Sequence, residues 1–241
     1  NQSRGVKNVQ LYETGQVFFA HEGRKQPKER RRVAGVLAGA MGDAAWNRPR
    51  VPFDFFDGKG VLESLARELA LPKVRFRALA PDEAPRLQPG RAAEMMADGA
   101  VIGWVGELHP LAARAFDIEV PVTVFELDLG ALVKAARPAR PYVDVPAFPP
   151  VSVDVALVVD EGVTHERLVQ CMTSAGGKLL EDVRLFDVYR DEERVGAGKK
   201  SMAYSLTYRA PDRTLTGEEV EKAHARLIAK VEKATGAEVR G

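Results

Sequence analysis

Along residues 151–159, Val151, Val153, Val155, Leu157 and Val159 alternate with Ser152, Asp154, Ala156 and Val158. A period of two predicts a half-buried strand. Past Thr164, a candidate N-cap, the period lengthens: Leu168, Cys171, Met172 and Ala175 recur at helical spacing until Gly176-Gly177 ends the run. Residues 182–190 predict a second strand and 191–199 (DEERVGAGK) a loop. Met202, Tyr204, Leu206 and Tyr208 then form one face of a third strand that pairs with the second as a hairpin. Thr216 and Glu219 have the spacing of a capping box, and Val220, Ala223, Leu227, Val231 and Ala234 give the following helix an apolar stripe. Residues 237–240 close the unit as a short strand. The order βαββαβ predicts a ferredoxin-like fold, four antiparallel strands with both helices on one face.

Upstream, short β-like runs at 9–14, 16–20, 32–38, 73–79, 92–96, 101–106 and 122–127 outnumber helical stretches at 58–70 and 111–116. This pattern predicts an antiparallel α+β domain. Asp98-Gly99, between two of the runs, is a hairpin signal because both residues tolerate positive φ. Five prolines, Pro138, Pro141, Pro146, Pro149 and Pro150, crowd one short stretch and mark an extended linker. The expected organisation is therefore a domain over 1–136, a linker over 137–147 and a second domain over 148–241. In the second domain period-two alternation separates the helix-covered sheet face from an open one. If Phe186 and Val188 point at the helices, Leu185, Asp187 and Tyr189 point away, with Ser201, Ala203, Ser205, Thr207 and Arg209 on the same open side.

Composition narrows the function classes. With 45% hydrophobic and 29% charged residues in 241, the chain is an ordinary globular protein. Its net charge of +1 lacks the excess of a nucleic-acid binder, so any such binding must be local. Residues 151–241 carry 14 basic and 16 acidic side chains, so binding by that domain alone should be weak. No apolar run approaches membrane-spanning length and residues 1–10 hold no signal-peptide core, which favours a cytoplasmic protein without a membrane partner. A first residue of Asn suggests an internal piece of a longer chain.

Catalytic motifs are missing. GAGKKS at 196–201 has Glu193 where a phosphate loop needs Gly, so a basic, solvated hairpin loop is the better reading, although it could touch phosphates through Lys199, Lys200 and Arg209. His21, His109, His165 and His224 are scattered without cysteine partners, which predicts no metal site. Cys171, the only cysteine, falls on an apolar helix face and reads as core. The open face is small and polar with one tyrosine. A base stacking on Tyr189, its edge read by the Asp187 carboxylate and the Ser201 hydroxyl, is the nucleic-acid reading of that face; packing against another domain is the plain one.

Several segments in order resemble the C-terminal part of the bacterial phenylalanyl-tRNA synthetase β chain. These are LYETGQVF at 11–18, LQPGRAAEMMADGAVIGWVGELHP at 87–110, FPPVSVDVALVVDE at 148–161 and the run from VRLFDVY to TGEEV at 183–220. The resemblance implies a class II synthetase-like domain that has lost its active site, since no GxGxGxxR motif for ATP occurs in 1–136, followed by a ferredoxin-fold anticodon-binding domain. It implies that Tyr189 stacks on the first anticodon base of tRNA-Phe, with Asp187 and Ser201 as polar partners of that guanine. The family's PGR motif usually carries His where this chain has Gln88, and no role is transferred to it. The implied partners are tRNA-Phe and an α chain, in an assembly of two α and two β chains. ATP and Mg2+ serve the α chain's activation of phenylalanine, so the fragment has no cofactor or catalytic residue of its own and should be inactive alone. Two other functions stay open: a subunit-assembly scaffold without RNA contact, and a small-molecule-sensing regulatory module.

Overall fold

The computed structural model describes residues 5–20, 23, 25–137, 142 and 144–240, and the chain divides into two compact units, residues 1–142 and 143–241. Pro138 and Pro141 of the expected linker lie outside the described residues. Both units are α+β with antiparallel sheets.

In the first unit, β1 (Val9–Phe19), β2 (Lys28–Ala38), β3 (Arg75–Ala78), β4 (Leu87–Ala97), β5 (Ala100–Leu108) and β6 (Val122–Asp128) form one sheet in the order β1-β2-β6-β5-β4-β3. The two runs expected at 9–14 and 16–20 are a single strand, because Gly15 pairs with Arg32 in unbroken register. The hairpin at Asp98-Gly99 is present: Ala97 pairs with Ala100, and φ is +48° at Asp98 and +82° at Gly99. Both values are positive, as a two-residue hairpin turn that matches strand twist requires.

Three helices accompany the sheet: α1 (Phe55–Glu68), α2 (Pro110–Arg114) and α3 (Leu129–Ala135). α1 begins earlier than its apolar pattern because Asp54 and Asp57 build a capping box ahead of it. α3 had no strong sequence signal; it is short and is started by the Asp128 carboxylate, which accepts from the Ala131 N–H at 3.0 Å. Leu62 and Ala66 of α1 and Leu132 of α3 pack with Met95, Val105, Phe125 and Leu127, so the main core lies between the helices and one face of the sheet.

The second unit contains β7 (Val151–Asp160), α4 (His165–Gly176), β8 (Leu180–Tyr189), α5 (Glu192–Val195), β9 (Lys199–Tyr208), α6 (Gly217–Thr235) and β10 (Glu238–Val239). The strand order β10-β7-β9-β8 is that of the ferredoxin-like fold. The start and stop signals act as expected. Thr164 Oγ1 accepts from the Arg167 N–H at 3.2 Å, Gly177 ends α4 with φ +60°, and Thr216 and Glu219 bond reciprocally. Leu168 and Met172 of α4 and Val220, Leu227 and Val231 of α6 bury against Leu157, Tyr204, Leu206 and Tyr208. Each such side chain contributes about 1.5 to 3 kcal/mol of burial. α5, a single turn, occupies part of the expected loop, where Asp191 caps the Glu193 and Arg194 N–H groups.

One expectation about the sheet faces is corrected. Leu185 pairs with the buried Tyr204 and packs against the core, and Phe186 is 55% exposed. The cause is a β-bulge: the register passes from Leu185↔Tyr204 directly to Asp187↔Ala203, leaving Phe186 unpaired. An extra residue restarts the alternation, so Asp187 and Tyr189 lie on the open face together with the expected β9 residues, but Leu185 does not.

Candidate nucleic-acid interface

The open face ends in a cluster drawn from all four strands. Tyr189, the last residue of β8, stands opposite Ser201 of β9, and Asp187 stands opposite Ala203. β7 places Ala156 beside Ala203 and Val158 beside Ser201, which leaves a floor of small side chains between the outer strands. Arg240 follows β10, and its N–H donates to the Ala156 carbonyl at 2.9 Å, continuing the ladder onto the open side. Its guanidinium reaches across the floor and sits 5.5 Å from the Tyr189 ring centroid, within cation–π range.

Polar commitments differ sharply within this cluster. The Tyr189 hydroxyl donates to Asp191 Oδ2 at 2.7 Å, which holds the phenol above its ordinary pKa of 10.0 and the Asp191 carboxyl below its ordinary 3.8. At neutral pH the phenol is a donor and Asp191 an ionised acceptor, so the ring is fixed at its outer end. The Asp187 carboxylate is exposed and, among the described residues, takes no hydrogen bond or ion pair. Ser201 is only 4% exposed, and its hydroxyl likewise bonds no protein group among the described residues. The site therefore offers an aromatic face, a free carboxylate and a free hydroxyl within one small-residue floor. An exposed carboxylate accepts two N–H donors and a hydroxyl accepts or donates one, the combination that reads the edge of a purine stacked on the ring.

The three basic residues expected near phosphates have unequal freedom. Lys199 lies on the open side opposite Asp160, in an exposed pair with Glu238 at 3.1 Å. Lys200 has the opposite parity and is 8% exposed, its ammonium donating to the Glu161 carbonyl at 2.8 Å. Arg209 bonds Glu181 Oε2 at 2.8 Å and the Phe148 carbonyl at 2.7 Å. Lys200 and Arg209 thus tie the sheet to its flanking segments.

Comparison with known proteins joins these observations to a family. A family model described as the phenylalanyl tRNA synthetase beta chain CLM domain matches residues 1–129. A second, described as a ferredoxin-fold anticodon binding domain, matches residues 146–240. The chain belongs to the phenylalanyl-tRNA synthetase beta chain family. It is 43% identical over 240 residues to the phenylalanine–tRNA ligase beta subunit of Symbiobacterium thermophilum, covering 100% of this chain and 26% of that protein. The beta subunits of Geobacillus kaustophilus and Bacillus subtilis are 43% and 40% identical over 242 residues, 30% of their own length. The chain thus spans less than a third of the length of these relatives.

Sequence reasoning brought Tyr189, Asp187 and Ser201 together, and the structure places all three at one end of the open face. It missed Arg240 and Asp191. β10 is two residues long, too short for alternation to assign the face of the residue after it. Asp191 carried a readable signal, an Asp immediately before a Glu-rich turn, which is an N-cap pattern.

Proposed function

We propose that this chain is a piece of the β subunit of a phenylalanine–tRNA ligase and that its second unit recognises the anticodon of tRNA-Phe through the open sheet face. The carrying observation is the convergence of a fixed tyrosine ring with a free carboxylate and a free hydroxyl on a floor of small residues. In this reading the first anticodon base takes Arg240's place against the Tyr189 ring, Asp187 accepts from the base's N–H donors, and Ser201 bonds its edge. The released guanidinium turns to the phosphate beside the base, and Lys199 supplies a second phosphate contact.

The first unit is proposed to be a domain without catalysis that docks on the α chain, in an assembly of two α and two β chains. Support comes from exposed apolar side chains along edge strand β1 and the loop after β2, Leu11, Tyr12, Met41 and Trp46. Among the described residues no three His, Cys, Asp or Glu side chains stand together as metal ligands. In this reading amino-acid activation with ATP and Mg2+ belongs to the α chain.

Fluorescence anisotropy of a labelled tRNA-Phe anticodon stem-loop, titrated with the chain at low salt, tests the reading. Tyr189→Ala should lower affinity by about 1 to 3 kcal/mol, the value of one base–aromatic stack, and a changed first anticodon base should produce a comparable loss. Binding indifferent to both changes would sink the anticodon assignment.

A further inference from the structure

In the first unit, β1 and β2 run beyond their sheet. Their mutual register continues to Phe19↔Lys28, but β2 pairs with β6 only from Arg32 to Ala38. Gln16–Phe19 and Lys28–Arg31 therefore form a two-stranded ribbon that no third strand pairs with, exposed at every residue except the half-buried Val17. A lone two-stranded ribbon is marginally stable in water, and this one also exposes Phe18 at 62% and Phe19 at 44%. Its charge is equally distinctive. Residues 25–32 carry Lys25, Lys28, Arg30, Arg31 and Arg32 against Glu29 alone, an excess of four cations in a chain whose whole excess is one.

Two of these cations have partners: Arg30 bonds Asp128 at 2.9 Å, and Arg32 lies 3.7 Å from Glu126 and 5.8 Å from the Phe19 ring centroid. Glu29 keeps its charge and accepts a hydrogen bond from the Gln16 amide at 3.3 Å. Among the described residues Lys25, Lys28 and Arg31 enter no ion pair. Register places Lys28 and Phe19 on one face of the ribbon and Arg31 and Phe18 on the other. Each face thus pairs an unneutralised cation with an exposed aromatic ring. Cations that meet phosphates and rings that meet sugars or bases suit a nucleic-acid backbone better than an apolar protein surface.

We infer that the β1–β2 ribbon is a second RNA contact, gripping the phosphate backbone of the tRNA outside its anticodon stem-loop. The inference rests on reading the chain as a tRNA-binding protein, but not on the anticodon site. It adds a sequence-independent contact to a second unit whose own charge balance is slightly negative.

The test compares full-length tRNA-Phe with the isolated anticodon stem-loop, each titrated over a salt series with the whole chain. Lys28→Glu with Arg31→Glu should weaken binding of full-length tRNA at least about tenfold at low salt and make its log affinity against log salt shallower by about 1.5 to 2. Stem-loop binding should not change. The milder pair Lys28→Gln and Arg31→Gln should give an intermediate loss with an unchanged melting temperature, separating charge from misfolding. Full-length tRNA bound as tightly and with the same slope after charge reversal would overturn the inference. If tRNA binding is retained while capture of the α chain is lost, the ribbon belongs instead to an acidic protein surface. Tyr189→Ala on the stem-loop reports on the anticodon site alone, so either proposal can fail while the other stands.

Discussion

At the scale of single residues, the second unit stores a pH dependence in its core. The Tyr208 hydroxyl and His224 Nδ1 lie 3.1 Å apart, and burial pushes the phenol up to about 12 and the imidazole below its ordinary 6.5. A depressed folded-state value means that the unfolded chain takes up the proton first as pH falls. Stability is therefore full above 6.5 and declines as pH drops through that value toward the folded one. His224→Asn keeps an acceptor for the phenol and removes the titration, so its melting temperature should stay flat between about pH 7 and pH 5.5, where the parent's falls. Equal slopes for the two proteins would refute the assignment. On the open face the same reasoning explains why Tyr189 was readable and its support was not. Alternation along β8, with Val188 turned to the helices, puts Tyr189 on the side facing away, whereas the bond from Tyr189 to Asp191 depends on the chain reversing into α5 immediately after the strand.

At the scale of elements, the bulge at Phe186 decides what the edge strand presents. Because two residues, Phe186 and Asp187, share the place opposite Ala203, the strand shows Asp187 and Tyr189 outward while Val183 and Leu185 remain inward. Deleting Phe186 should restore a regular ladder with Asp187 and Tyr189 still outward, and stem-loop affinity should fall by less than about 1 kcal/mol, well below the loss expected from removing the ring. In a strand without a bulge the same deletion would turn both residues toward the helices and abolish binding, so the size of the loss distinguishes the two geometries. Caps and hairpin turns, by contrast, were legible from two to four adjacent residues. Thr216 with Glu219 and Asp98 with Gly99 meet their partners within a few positions, and local hydrogen bonds and positive φ values are enough to specify them.

At the scale of the whole molecule, two separate cores divide the chain. Tyr204, Leu206 and Leu227 belong to one, and Met95, Val105 and Leu127 to the other. Residues 144–241 produced alone should fold cooperatively, since they hold a hydrophobic core of their own, and should bind the anticodon stem-loop within about twofold of the intact chain. A loss of an order of magnitude would show that the anticodon face needs the first unit. By itself the amino-acid sequence determined the ferredoxin-like order, the caps of α4 and α6, the Asp98-Gly99 hairpin and the family, because each is written in local periodicity or in residues close along the chain. Only the tertiary structure decided that Phe186 is a bulge, that Arg240 crosses the sheet to Tyr189, that Lys200 is sequestered, and that the basic end of β1 and β2 stands free of its sheet. These depend on register between strands far apart in the chain, and register is set by the packing of whole faces rather than by any neighbouring residue.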